Sequence, residues 1–239
     1  MKAQWSGVAP AALLLLVGCT GLFQSKAKPE QIYYLRPPAA PAGGDAAGAT
    51  GASSNAATDP VHAASLRVGR PVAAPGLGTP HIMLVQADHR MNFYTGSRWP
   101  AAAPEVIEAL TVETLRGSGE WSSVEDSASP FPSDYLLQIR LRRFEADYAA
   151  GSDKPVVQVQ LDCIIGRREG REVLASFNAV GSAPAAANRL NDIVSAFEAA
   201  TGSALASLSQ QALQAVRADA QHAAQSGPSP PPSSTRQSQ

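Results

Sequence analysis

The stretch DYLLQIRLRRFEADY, residues 134–148, decides how this chain folds. Tyr135, Leu137, Ile139 and Leu141 alternate with Leu136, Gln138, Arg140 and Arg142. Successive side chains of a strand leave on opposite faces, so this period of two predicts one face packed on a core and one face in water. Residues 156–166 and 172–181 repeat the alternation, and the connecting GRREGRE contains Gly170, which suits a tight turn. Together the three runs predict an antiparallel meander.

Downstream, Leu190, Ile193, Val194, Phe197, Leu205, Leu208, Ala212 and Val216 recur at helical spacing and predict a long amphipathic helix from Asn188 to Ala220. Upstream, SLRVGRPVAAP and HIMLVQ read as two strands, and RMNFYTGSRW follows ADH as the return limb of a hairpin. Pro104 then opens a helix whose apolar face is Val106, Ile107, Leu110 and Leu115, and Gly117 with Gly119 ends it. WSSVE at 121–125 is a short strand, and QIYYLRP at 31–37, rich in β-formers and closed by proline, is another. Strands on both sides of one helix, with a second helix closing the chain, predict an α+β fold. Its sheet is mostly antiparallel, with two helices packed on one face.

The N-terminus has a separate logic. ALLLLVGCT, residues 12–20, belongs to an apolar run from Val8 to Val17 that falls short of the roughly 20 residues a bilayer requires. With Lys2 as the positive n-region and Gly18 at the cut site, it reads as a signal peptide. Leu16-Val17-Gly18-Cys19 resembles the bacterial lipobox, which makes Cys19 the lipidated mature N-terminus. Two acyl chains already suffice for stable anchoring, and Thr20 in place of an aspartate points to the outer membrane.

Residues 37–60 contain only Ala, Gly, Ser, Thr, Pro, Asn and Asp, and 226–239 are similar, so neither offers apolar area to offset the entropy of ordering. The expected organisation is therefore a signal peptide at 1–18 and a lipidated tether at 19–30. A strand at 31–36 and a disordered linker at 37–64 follow, then one domain at 65–220 and a disordered tail at 221–239.

The formal charge is -1, and the arginines are dispersed, which argues against nucleic acid, since phosphate binding requires a basic stripe. With Cys19 acylated, Cys163 has no partner and reads as a buried small hydrophobe within the second strand of the meander. The four lysines are followed by Ala, Ala, Pro and Pro, so no phosphate-binding G-x-x-x-x-G-K-S/T loop exists. No G-x-S-x-G elbow occurs, and His62, His81, His89 and His222 are far apart without ligand spacing. Glu105 and Glu108 face water beside an apolar helix stripe. No cofactor, metal or catalytic residue is expected.

Two clusters remain. Arg140, Arg142 and Arg143, with Arg167, Arg168 and Arg171 in the adjoining turn, are either a docking patch or a solvated outer sheet face, the latter favoured by interleaved Glu145, Asp147, Glu169 and Glu172. FYTGSRWP at 93–100 places Tyr94, Arg98 and Trp99 just before a helix. Trp99 is read there as a staple onto the first helical turn, with a partner contact through all three as the rival.

In order along the chain, the early YYL strand, LRVGRPVAAPGLGT, Arg90-x-x-x-Tyr94-x-x-x-Arg98-Trp99, DYLLQIRLRRFEADY and IVSAFEAATGSAL resemble the ABC-type transport auxiliary lipoproteins. That family includes the outer-membrane lipoprotein of the paraquat-inducible intermembrane transport system and auxiliary components named for cholesterol or phospholipid transport. The resemblance implies a non-enzymatic, outer-membrane-anchored periplasmic domain. Its implied partners are a mammalian-cell-entry-type periplasmic subunit and, through it, an ABC permease and ATPase. A bound lipid and a homo-oligomer stay open. The rival reading is a structural or assembly lipoprotein that partners an outer-membrane β-barrel; a small periplasmic hydrolase has least support.

Overall fold

In the computed structural model the described residues are 29–37, 64–149 and 152–225. Cys19 and the signal segment, and nearly all of the expected linker and tail, lie outside them. Contacts divide the chain after Glu30, and the unit beginning at Gln31 is the one described below.

Its elements are strands β1 (Gln31–Ile32), β2 (Ser65–Val68), β3 (Val72–Ala73), β4 (His81–Val85) and β5 (Met91–Arg98), then helix α1 (Ala103–Gly117). Strands β6 (Ser123–Glu125), β7 (Tyr135–Asp147), β8 (Val156–Arg167) and β9 (Glu172–Pro184) follow, and helix α2 (Leu190–Gln225) ends the order. The fold is the expected α+β architecture, a nine-stranded open mixed sheet in which the long ladders are antiparallel.

β7, β8 and β9 form the meander, with Leu137 opposite Ile165 and Cys163 opposite Phe177. Their inward rows, among them Leu137, Ile139, Leu141, Val157, Val159, Leu161 and Cys163, are buried, as the alternation requires. Gly170 turns the chain between β8 and β9 at φ 72°, where a side chain would be strained.

The other edge of β7 takes three short strands in succession, all parallel to it: Arg67 of β2 faces Leu136, Val72 of β3 faces Arg140, and Leu84 of β4 faces Ala146. Gly69 and Ala74 donate backbone N–H bonds to the carbonyls of Leu137 and Leu141, both at 2.8 Å. Between these two anchors lies Pro71, which has no N–H to donate, so the segment pairs in pieces. β4 and β5 make the expected hairpin, with His89 at φ 65° in its turn.

Both helices lie on one face. α1 buries Val106, Ile107, Leu110 and Leu115, with Pro104 in its first turn and Glu105 and Arg116 complementing its dipole. α2 buries Ile193, Val194, Phe197, Leu205, Leu208, Ala212 and Val216, and its exposed last turns run to Gln225 rather than ending at Ala220.

The QIYYLRP strand is shorter than expected. Only Gln31 and Ile32 pair with β5, in parallel, and Tyr33 adds one backbone bond to the Arg98 carbonyl at 2.9 Å. The chain then turns inward because Leu35 is buried, and Arg36 clamps it to α2. The Arg36 backbone N–H and guanidinium donate to both Glu198 carboxylate oxygens at 2.9–3.0 Å.

The side-chain hydrogen bond from Arg36 holds the Glu198 carboxyl below its ordinary value of 4.5. A depressed carboxylate contributes above its unfolded pKa, and the contribution is lost as pH falls through the folded value. Amide protection of Leu35 and Arg36 is therefore expected to be constant at neutral pH and to fall in acid, below the ordinary glutamate range. In Glu198→Gln it should be reduced already at neutral pH, as read by hydrogen exchange.

Candidate functional site

The end of β5 holds the three residues of the FYTGSRWP turn, and the structure separates them. Trp99 is fully buried. Its ring lies 5.7 Å from Phe144 of β7 and 5.2 Å from Phe197 of α2, which are themselves 5.0 Å apart. As a candidate partner contact Trp99 is corrected: it is core, and it joins sheet to α2 rather than merely capping the first turn of α1.

Tyr94 and Arg98 stay at the half-buried surface. The Tyr94 hydroxyl lies 3.0 Å from that of Tyr148, which donates to Asn188 Oδ1 at 2.7 Å just before α2. Burial raises the Tyr94 hydroxyl well above its ordinary range, so it is a hydrogen-bonding group and not an acid. Arg98 Nη1 reaches the Trp99 carbonyl at 3.5 Å.

A second feature occupies the sheet face that neither helix covers. Gln138, Arg140 and Arg142 project from β7 into solvent there. Leu136, Ile164 and Val173 form the apolar floor of a depression of about 500 Å³, whose walls include Arg67, Arg168 and Arg171. The depression continues along Leu136, Gln138 and Ile164 toward Arg70, Val72 and Arg140. Ile164, Val72 and Val173 are 40%, 58% and 64% exposed, a strip of apolar surface on the wet side of the sheet.

The arginines around this groove divide into two sets. Arg142 pairs with Asp162 at 3.5 Å, Arg143 with Glu145 and Asp147 at 2.6 and 2.8 Å, and Arg167 with Asp219 of α2. Arg67 is anchored to the carbonyls of Ser129 and Phe131. Arg140, Arg168 and Arg171 have no side-chain partner among the described residues. Three unpaired guanidiniums beside an apolar floor suit an elongated ligand that carries both acidic and apolar groups.

The sequence did not assemble this groove, because its residues come from β2, β3, β7, β8, β9 and the β8–β9 turn. A partial signal was nevertheless present: Leu136 and Ile164 fall on outward positions whose neighbouring outward residues, Gln138 and Asp162, are polar.

Cys163 is buried, and desolvation pushes its thiol up to about 12, so it stays protonated. Among the described residues no three His, Cys, Asp or Glu side chains are grouped to hold a metal ion, and no helix is long and apolar enough to cross a membrane.

An α+β domain of this kind, with two helices on one face of an open sheet, is shared with known proteins. The family model for the ABC-type transport auxiliary lipoprotein component matches residues 47–212, and the chain belongs to that family. Protein XCC0632 from Xanthomonas campestris, of the DUF330 family, is 24% identical; the match covers 80% of this chain and 97% of that one at a TM-score of 0.63. A second solved structure, of an uncharacterized protein, is 12% identical over 62% of this chain and 91% of that one, with a TM-score of 0.52. Both likenesses concern the fold. No curated protein matches the chain.

Proposed function

We propose that the chain is a non-enzymatic lipoprotein that anchors the outer-membrane end of a mammalian-cell-entry-linked lipid transport system and docks its periplasmic subunit through the helix-free sheet face. The family supplies the association with an ABC transport system. The observation that supports docking at this face is the set of unpaired guanidiniums of Arg140, Arg168 and Arg171 beside the apolar strip of Leu136, Ile164 and Val173. Arginine beside desolvated apolar surface is the composition of interface anchors. Tyr94 and Arg98 at the end of β5 form a second contact, and Cys19, in a tether over 19–30, carries the acyl chains.

The double variant Arg168→Ala/Arg171→Ala is expected to keep the melting temperature of the parent, since exposed charges contribute little to stability. It should nevertheless lose co-purification with the mammalian-cell-entry protein from solubilised envelopes by about 30-fold or more, at roughly 1 kcal/mol or more for each interface arginine. A stable double variant with undiminished complex formation would remove the groove from the docking role. Lipid hydrolysis by the purified chain would overturn the non-enzymatic reading.

Cys19→Ser is expected to abolish incorporation of labelled palmitate and to leave the signal peptide uncut by the lipoprotein peptidase. Unchanged labelling would sink the assignment of the anchor.

A further inference from the structure

We propose that β9 pairs antiparallel with β9 of a second copy of this chain, so that the sheet continues across a two-fold axis at Ala179. β9 is thirteen residues long, and among the described residues it pairs with β8 alone and leaves its outer side open. The strands at the opposite side of the sheet, β1 and β6, have two and three residues. A long open edge is a template for pairing unless charge, proline or a cover protects it.

The backbone groups that face outward follow from the ladders. Leu137 and Leu141 turn their carbonyls toward β2 and β3, so Gln138 and Arg140 carry the bonds to Ile164 and Asp162 of β8. Leu161 and Cys163 then bond to Ala179 and Phe177. Ser176, Asn178, Val180 and Ser182 are left with N–H and C=O directed away from the sheet. The side chain of Gln211 confirms the direction, since its Nε2 reaches the Asn178 carbonyl at 3.1 Å from α2. That oxygen has a second lone pair, so the cap does not bar pairing.

One register uses all four residues. About Ala179, Ser176 faces Ser182 of the second copy and Asn178 faces Val180, giving about eight inter-strand hydrogen bonds at two per bonded pair. An axis at Asn178 would put Ser182 against Leu174, the extra residue of the bulge near Ile165 and Gly166. An axis at Val180 would put Ser176 against Pro184, which has no N–H.

The composition of the neighbouring surface argues for a second copy as the occupant. No charged residue occurs from Val173 to Asn188, nor along α2 from Ala199 to Val216. Exposed positions on that stretch of α2 are small or amide side chains, such as Ser203, Ala206, Gln210 and Gln214. A cleft between α2 and the edge is lined by Leu174, Phe177, Gln211 and Ala215, with the charged Arg167, Glu172 and Asp219 also on its wall. A lone extended peptide would cover the strand and leave this helix flank bare, whereas the two-fold brings α2 of one copy antiparallel to α2 of the other. Over Ser176–Ser182, where the two strands would pair, the self-matching surface carries no charge and makes an isologous contact without like-charge repulsion.

Light scattering of the full chain purified in detergent should give twice the chain mass, and Val180→Lys should halve it with an unchanged circular dichroism spectrum. Co-expressed Asn178→Cys and Val180→Cys chains should form a disulfide-linked dimer, because a bonded antiparallel pair has Cα atoms about 5.5 Å apart, within disulfide range. Either variant alone should not, since identical residues are then offset by two positions. A monomeric parent chain overturns the proposal. So does a monomer whose Ser176 and Val180 amides are strongly protected, the result expected if another segment of the chain fills the edge. A dimer that survives Val180→Lys and lacks the mixed cross-link overturns it as well.

Discussion

Gly181→Ala is expected to cost about 3 kcal/mol, the upper part of the range for overpacking. A Cβ at this position of β9 would stand 1.8 Å from the carbonyl oxygen of Ala200, 2.8 Å from its carbon and 2.9 Å from the Ala204 nitrogen. All three are backbone atoms of α2, so no rotamer change relieves the clash and the helix itself must lift. Lifting it pulls Phe197, Ala200, Ala204 and Leu208, all fully buried, away from β8 and β9. Urea unfolding measures the loss, and Gly78→Ala is the control. Among the described residues nothing lies within 4 Å of a Cβ at Gly78, so that change should stay within about 0.5 kcal/mol. Equal costs at the two sites would mean that α2 rides loosely on the sheet.

The close approach at Gly181 was not legible in the sequence, although the elements on either side of it were. Strict alternation over Tyr135–Leu141, Val157–Ile165 and the following run announced the meander because each of those strands packs one face only. The helical spacing of Ile193, Phe197, Leu205, Leu208 and Val216 announced α2 for the same reason. What periodicity does not carry is which elements touch. Gly181 reads as an ordinary strand residue until α2 is laid over it.

The parallel strands β2, β3 and β4 show the same limit from another side. Each has five residues or fewer, and each finds its place on β7 through residues far along the chain, as in Leu66 opposite Tyr135 and Leu84 opposite Ala146. Local propensity identifies such pieces as extended but does not choose between a hairpin and a parallel crossover. Likewise the YYL segment has β-formers, yet burial of Leu35 and the Arg36–Glu198 clamp withdraw it from the sheet edge after two residues.

The candidate site was legible in kind rather than in place. The arginine clusters stood out, and of the interleaved carboxylates that favoured a solvated face Glu145 and Asp147 pair with Arg143 and Glu172 with Arg167. Only the fold shows that Arg140, Arg168 and Arg171 are left over, and that they border the outward apolar residues Leu136, Ile164 and Val173. At the β5 end the sequence picked out Trp99 as prominent, but prominence there came from the core.

Trp99→Ala is accordingly expected to cost about 4 kcal/mol, as loss of a large buried aromatic does. Phe197→Ala should cost a similar amount, since both rings are fully buried and meet edge to face at an interplanar angle of 76°. Because the two residues pack on each other and both on Phe144, their losses should not add. The double variant should fall short of the sum by about 1 kcal/mol, the coupling of one aromatic pair. Trp99→Phe sharpens the reading. The Trp99 Nε1 is buried with no hydrogen-bond partner among the described residues, so phenylalanine removes an unsatisfied donor while keeping a ring against Phe144 and Phe197. Its cost should be less than half that of Trp99→Ala in urea unfolding. If Trp99→Phe proved as damaging as Trp99→Ala, the indole nitrogen rather than the ring would carry the contribution, and the three-ring account of this junction would be wrong.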